Sequence, residues 1–516
     1  MATPEDLASR IDGRAVDGGA TVDLRNPADL DDVVGRVRLA DADTFLRAAE
    51  AAAAAQTGWA ATPAPIRGVA IGDLGRIVAN NKEALARLVT REIGKPYAEA
   101  LGEVQEVIDT CVFFASEGRR LYGQTVPSEM PDKQLFTFRE PVGTMAVITA
   151  GNFPIAVPSW YLVPALLAGN TVVWKPAEYA PAIADAFVRC IEAAGIPAGV
   201  VQLVVADGEQ TAKGLELALE AGHLHKVGFT GSSPVGREIA AMCGRHLVTP
   251  TLELGGKNPL VVLPDANLDL AVEGALFSGF GTAGQRCTSL GVAIVHASVH
   301  DEFLRRFTAA VEGVAVGDPF QPVLYGPMIS QKFADGFERW LDQIQPHHRT
   351  AGSSGLGRIT ADNPRDGFVG DPERGIFEHP VIVDGVTADD ALYQHETFGP
   401  IVPVATFDDF DQAIALANGH GYGLSSAIYT TDPSAAFRFR EQVSAGMVSV
   451  NNSTSGAEAH LPFGGNGKSG NGARQSGIWM LDQVTRWQSM NWDFSGKLQK
   501  AQMDVVEIEA DLDFTL

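Results

Sequence analysis

Cys287 stands in FGTAGQRCTSL, a small-residue stretch that follows an apolar helical pattern ending GALFSGF. A thiolate nucleophile needs open access and neighbouring donors that favour negative charge, and a loop of Gly, Ala and Thr offers both. Upstream, TLELGGKNPLVV puts Glu253 at the end of a strand among Leu252, Leu254, Gly255 and Gly256. A poorly solvated carboxylate there has a raised pKa, which suits a general base. Further upstream, VITAGNFP places Asn152 just after a β-run, at the edge where α/β sheets gather ligands. Its side-chain amide can donate to a developing oxyanion. Taken singly, each residue also has an ordinary reading: a buried small hydrophobe, a salt-bridged carboxylate, an Asn that caps a helix.

The elements that must hold these residues follow an α/β rhythm. β-branched runs TMAVIT, NTVVWKP, VVQLVVAD and HKVGFTG alternate with helical patterns such as VPSWYLVPALLAG and APAIADAFVRCIEAAG. That alternation predicts right-handed βαβ units and a largely parallel sheet. A second α/β set runs over 258–451, with strands at SLGVAIVHA, PIVPVATF, LSSAIYTTD and GMVSVNN. Before both, residues 43–80 read as one helical stretch, NKEALARLVTREIGKP as a second, and AEALGEVQEVIDTCVFFASEGRRL as a third. Residues 122–140 read as an extended hairpin, 352–375 as an inserted surface loop, and MDVVEIEADLDFTL as an acidic surface tail.

The 516 residues predict two to four domains, at roughly 150 residues each. A net charge of −24 repels phosphate backbones and anionic lipid, so neither nucleic acid nor membrane is expected as a partner. Cys111, Cys190, Cys243 and Cys287 are scattered without a Cys-x-x-Cys pair, which suggests no metal site, no disulfide framework and a reducing compartment. The opening MATPEDLASR lacks a basic-then-apolar signal. No apolar run reaches the ~18 residues of a membrane span. The expectation is a soluble, cytoplasmic protein.

Seven motifs stand in order along nearly the whole chain: GNFP, KPAE, FTGSSPVG, LELGGKNP, GQRC, ETFGP and LPFGGNGKSG, with Glu253 and Cys287 34 residues apart. Together they resemble the NAD(P)-dependent aldehyde dehydrogenase superfamily. The resemblance implies Cys287 as nucleophile, Glu253 as general base, and Asn152 with the Cys287 amide as oxyanion hole. It implies NAD as cofactor, with Lys175 and Glu178 on the adenosine ribose, Glu396 on the nicotinamide ribose and Phe398 beside it. Gly228, Gly231 and Gly236 do not make G-x-G-x-x-G. A Gly turn opening a helix still presents amides and dipole to a pyrophosphate, with Gly231, Ser232 and Gly236 at that turn. A carboxylate at Glu178 would repel a 2′-phosphate and so favours NAD over NADP.

For the substrate, the run Ser455-Gly456-Ala457-Glu458 and the GQRCTS loop resemble the antiquitin-type branch and the 2-oxoglutarate semialdehyde dehydrogenases. The implied substrate is a carboxylate-bearing semialdehyde, of the α-aminoadipic or 2-oxoglutarate type. Arg286 with the Gly456 and Ala457 amides would anchor its carboxylate, with Phe463 in the same subsite. A broad or aromatic aldehyde dehydrogenase and a non-catalytic protein of the same fold are the other readings. Glu103 and Glu106 of GEVQEV could meet a substrate ammonium, although a solvated helix face is the simpler reading. Ala150 and Gly151 stand where the family often has Pro-Trp, which implies a missing aromatic wall and a roomier site.

The implied fold class is α/β: a Rossmann-like cofactor domain over 1–121 and 142–255, an α/β catalytic domain over 256–466, and a small β oligomerisation flap from 122–141 and 480–500, followed by a tail over 501–516. Such a flap exposes strand edges, so a homodimer or homotetramer is expected, with VTRWQSMNWDF as a candidate edge strand.

Overall fold

The computed structural model describes residues 5–505 and 507–516. Residues 1–4, where the opening segment was read for a signal, and Val506 of the acidic tail lie outside the described residues.

Two seven-stranded sheets dominate. In the first, strands Pro250–Glu253, Lys226–Thr230, Thr144–Ile148, Thr171–Lys175 and Val201–Leu203 lie side by side in that order, all parallel. The short strands Arg10–Ile11 and Arg14–Ala15 complete one edge, antiparallel. Alternation sorts the side chains: Val172 and Trp174 pack on one face with Val147, while Val173 packs on the other with Ala146. Every one of these strands' core residues is buried because helices cover both faces. The covering helix Ala156–Ala168 is buried along its whole length, as its unbroken apolarity requires.

Chain order reverses between Thr144–Ile148 and Lys226–Thr230. Such a reversal opens a crevice beyond the carboxyl ends of the strands. Asn152, Gly231 and Glu253 all sit at or just past those ends.

The second sheet orders Arg349–Ala351, Val381–Asp384, Ile401–Phe407, Leu290–His296, Asn258–Val262, Ser425–Tyr429 and Met447–Val450. All pairings are parallel except the first. A separate three-stranded sheet joins Thr485–Asp493, Lys133–Pro141 and Thr125–Pro127. Thr485–Asp493 is its edge strand and exposes Trp487, Trp492 and, just beyond, Phe494.

Two sequence expectations change. The stretch over 43–80 is two helices, Ala42–Ala61 and Ala64–Asn80, because Pro63 cannot continue the first. The 352–375 segment is not a simple surface loop. Its strand Phe368–Val369 pairs with Val316–Gly317, Ile359 is fully buried, and Arg365 donates to the Val311 carbonyl at 2.6 Å. No helix of the described residues is long and apolar enough to cross a membrane.

Candidate active site

A cavity of about 850 Å³ opens at the crevice. Asn152, Gly231, Ser232, Cys287, Glu396 and Phe398 line it together. The volume lies in the usual range for ligand sites.

Cys287 leaves its helix through a strained turn. Leu268–Phe280 ends, and Thr282 and Ala283 follow with φ of 51° and 54°. Left-handed backbone is rare for such residues and persists only where surroundings enforce it. Here Asn258 Nδ2 donates to the Cys287 and Ser289 carbonyls at 2.8 and 2.7 Å, clamping the loop from the next strand. Nothing in the sequence marked Asn258 for that role. Asn152 Nδ2 donates to the Gln285 carbonyl at 2.9 Å, which ties the oxyanion candidate to the same loop. A primary amide has two N–H groups, so one remains for an oxyanion.

Cys287 is half-buried, and its thiol is pushed up to about 12, first by burial, then by the nearby Glu396 and Glu253 carboxyls. The resting sulfur is therefore a neutral thiol that needs a base. Glu253 is buried, and neither carboxyl oxygen has a hydrogen-bond partner. Burial raises its pKa well above the ordinary carboxylate value, with Arg474 offsetting part of the rise. A carboxylate so poorly solvated holds a proton tightly, which is what a base needs to draw one from a reluctant thiol or from water.

The helix Ser233–Arg245 begins at the cavity with Ser232 as its N-cap and no side chain capping it. Its first-turn amides are thus open to an anion. The Gly231 amide itself donates to the Glu253 carbonyl at 3.1 Å, so Gly231 serves by closeness: a Cβ there would meet Phe229 Cζ at 2.5 Å. Gly236 is farther in and allows the helix to press on Leu254. Lys175 Nζ lies 3.4 Å from Glu178 Oε2. Glu178 lines an adjoining cavity of about 390 Å³ that shares Tyr179 and Lys332 with the main one. Glu396 Oε1 accepts the Gly256 amide at 3.0 Å, and its pKa is raised to about 7 by burial. Gly255 has no room for a side chain, since a Cβ would fall 2.0 Å from Glu396 Oε2.

Tyr179 and Phe333 also line the cavity and were not anticipated. Tyr179 meets Phe333 at 5.5 Å between ring centroids, and Phe333 meets Phe398 at 5.6 Å, an aromatic ladder along the wall. Tyr179 adjoins KPAE and could have been suspected; Phe333 carries no sequence signal. Tyr179 also corrects the expectation drawn from Ala150 and Gly151. A Cβ at Gly151 would meet Tyr179 Cε2 at 2.4 Å, so the next loop fills that space and no extra room is left.

Arg286 does not join the substrate anchor. It is buried in an ion pair with Glu99 and stacks 4.4 Å over the Phe277 ring. Gly456 is exposed with φ of 140°, and Ala457 packs against the cluster that includes Cys287. Among the described residues, neither amide has a hydrogen-bond partner. Thr454 Oγ1 and Ser455 Oγ donate to the Thr288 carbonyl at 2.8 and 3.2 Å, sewing this run to the nucleophile loop. Phe463 is buried 4.7 Å from the Trp160 ring.

The GEVQEV segment is not a solvated face. Glu103 is buried, pairs with Lys95, and accepts the Ile155 and Ala156 amides at 3.0 and 3.2 Å. It thereby caps the helix that follows Asn152. Glu106 is raised to about 8, chiefly by burial and then by Glu103, and Oε1 is partnerless, as is Trp160 Nε1 near it.

Residues 15–490 match the aldehyde dehydrogenase family along most of the chain. The chain belongs to that family. An alpha-ketoglutarate semialdehyde dehydrogenase from Haloferax volcanii is 38% identical over 87% of this chain and 90% of its own. Aldehyde dehydrogenase family 7 member A1 from Pisum sativum is 35% identical over 96% and 95%. A solved betaine aldehyde dehydrogenase from Staphylococcus aureus, in complex with NAD+, superimposes with a TM-score of 0.89 at 28% identity, covering 95% of this chain and 96% of that one. This aldehyde dehydrogenase is an oxidoreductase acting on aldehydes, and its family uses NAD or NADP.

Proposed function

We propose that this aldehyde dehydrogenase oxidises a carboxylate-bearing semialdehyde to the corresponding diacid with NAD. The 1–121 and 142–255 segments would serve the cofactor and 256–466 the chemistry. Residues fit NAD at four places: the open helix N-terminus at Ser232, the Lys175–Glu178 pair for the adenosine ribose, Glu396 for the nicotinamide ribose, and Phe398 on the wall. Glu178 supports NAD over NADP, because a carboxylate accepts from a 2′-hydroxyl and repels a 2′-phosphate.

Cys287 gives up its proton to Glu253 and its sulfur adds to the aldehyde carbon, forming a thiohemiacetal. Asn152 and the Cys287 amide hold the oxyanion. Bound NAD supplies the acceptor for the hydride that leaves this carbon. Cys287 then carries a thioester. Glu253 passes the first proton to solvent and then takes one from water, whose oxygen attacks the thioester carbonyl; the C–S bond breaks, the acid departs, and Glu253 returns the proton to the sulfur.

One observation supports the substrate class: Thr454 and Ser455 are tied to the Thr288 carbonyl beside Cys287, and the next two residues, Gly456 and Ala457, keep free amides. Two amides and a left-handed turn make a concavity suited to a carboxylate. The Haloferax relative supports a 2-oxo substrate. NADH production from 2-oxoglutarate, α-aminoadipic, glutarate and uncharged aldehydes should give the highest kcat/KM with the acids. Equal turnover of uncharged aldehydes would remove the anchor.

The exposed aromatic side chains of the edge strand Thr485–Asp493 support assembly as a homodimer or homotetramer.

A further inference from the structure

We propose that Tyr179 is a positioning residue for Asn152: its ring fills the place of a side chain at Gly151 and so holds the loop that presents the amide to the reacting carbonyl. The inference rests on the reading of Asn152 as the oxyanion donor.

Asn152 stands on a short piece of chain between two anchors. Before it, the Thr149 amide donates to the Lys175 carbonyl at 3.1 Å and Trp174 Nε1 donates to Thr149 Oγ1 at 3.0 Å, so the loop leaves its strand zipped to the neighbouring one. After it, the Ile155 and Ala156 amides donate to Glu103 at 3.0 and 3.2 Å. Between these anchors lies Gly151. A Cβ there would fall 2.4 Å from Tyr179 Cε2 and 3.0 Å from Cδ2, so the ring lies against the backbone one residue before Asn152. Ala177 Cβ, at 2.9 Å, is the other near atom and belongs to the same KPAEY turn. Gly151 does not have the positive φ that favours glycine. Its missing side chain is therefore demanded by the ring, not by the backbone.

The ring is itself fixed. The Ala180 amide donates to the Ala177 carbonyl at 3.0 Å and closes the turn that carries Tyr179. Phe333, on helix Gln331–Leu341, meets the ring edge-on, with 5.5 Å between centroids and 84° between planes. Ala334 and Phe337 of that helix belong to the core of the second sheet, so Tyr179 is wedged between the Asn152 loop and the other half of the molecule. The bond from Asn152 Nδ2 to the Gln285 carbonyl orients the amide, while the ring limits how far the backbone beneath it can sink. Removing the ring leaves a void into which Gly151 relaxes. A shift of about 1 Å near reacting groups can cost about 10²-fold in rate.

The test measures first-turnover NADH formation, at saturating NAD and 2-oxoglutarate semialdehyde, and NAD affinity by calorimetry. The proteins are wild type, Tyr179→Phe, Tyr179→Ala, Gly151→Ala, Asn152→Ala and the Tyr179→Ala/Asn152→Ala, Gly151→Ala/Asn152→Ala and Tyr179→Ala/Gly151→Ala doubles. Asn152→Ala should lower the rate by about 10²–10³. Tyr179→Ala should lower it by about 10–10², against less than about threefold in NAD affinity, and Tyr179→Phe should keep most of it. In the Asn152→Ala background Tyr179→Ala should cost nothing further, because the ring acts through that amide. Gly151→Ala should slow wild type about tenfold but Tyr179→Ala by no more than about twofold, since the ring it meets is gone. Multiplied losses in Tyr179→Ala/Asn152→Ala, an equal cost of Gly151→Ala in both backgrounds, or a wild-type rate in Tyr179→Ala would overturn the proposal. A wild-type rate in Asn152→Ala would instead remove the oxyanion reading itself. Tyr179 is only half-buried. If Tyr179→Ala does not fold, Gly151→Ala, which removes nothing, carries the same comparison: its loss should vanish in the Asn152→Ala background, and a loss that persists there would overturn the proposal.

Discussion

At the residue scale, chemistry here depends on groups held out of water. Glu253 is buried and its pKa raised, and its proposed role as a base makes a two-part prediction. Glu253→Gln should lose both the first-turnover burst of NADH and steady-state turnover, by about 10²–10⁴. A full burst followed by slow turnover would mean that another group deprotonates Cys287 and that Glu253 serves only the water step. The same variant should be more stable at pH 8 than wild type. A carboxyl whose folded pKa is raised binds more protons folded than unfolded, so its penalty is absent below the unfolded value and grows as pH climbs. The gain in Tm should therefore vanish near pH 4, and an equal gain at both pH values would contradict the burial argument. Cys287, Glu253 and Asn152 could be singled out as candidates because their motifs are short and local, and Cys287 and Asn152 line one cavity. Arg286 was misplaced because the adjacent sequence does not reveal Glu99, which lies 187 residues away and claims it.

At the element scale, the oxyanion loop is set by a helix that contributes nothing to the cavity. Tyr97–Glu117 carries Glu103, which pairs with Lys95 and caps the start of Ala156–Ala168, while Lys95 Nζ sits 3.6 Å above the Phe153 ring. The chain between these contacts is the loop that presents Asn152. Glu103→Ala leaves Lys95 as an uncompensated buried charge, a loss of about 3–5 kcal/mol. Expected outcomes are a Tm lower by on the order of 5 °C and a kcat fall exceeding any change in NAD affinity. Normal kcat in a folded Glu103→Ala protein would show that Asn152 is placed without this cap. Helical periodicity located Tyr97–Glu117 but not which of its polar positions turn inward, because burial of a charge depends on a partner from another element.

At the scale of the whole molecule, the sheet Thr485–Asp493, Lys133–Pro141 and Thr125–Pro127 leaves Trp487 at 52% and Trp492 at 57% exposure. Aromatic rings on an open edge strand invite coverage by another copy. Trp487→Ser with Trp492→Ser should lower the mass seen by light scattering while far-UV circular dichroism stays the same; an unchanged mass would place the interface elsewhere. Copies with a net charge of −24 also repel one another. Raising salt from about 0.01 M to about 0.15 M shortens the screening length from ~30 Å to ~8 Å, so assembly should tighten with salt. The sequence by itself determined the α/β class and the motif order, and singled out Cys287, Glu253 and Asn152 as candidates, since these reside in local pattern and spacing. Tertiary structure alone decided that Tyr179 fills the gap at Gly151, that Glu99 claims Arg286, and that Lys257 lies buried without a hydrogen-bond partner for Nζ. Desolvation and pairing are properties of what surrounds a group, and those neighbours meet only when distant segments pack.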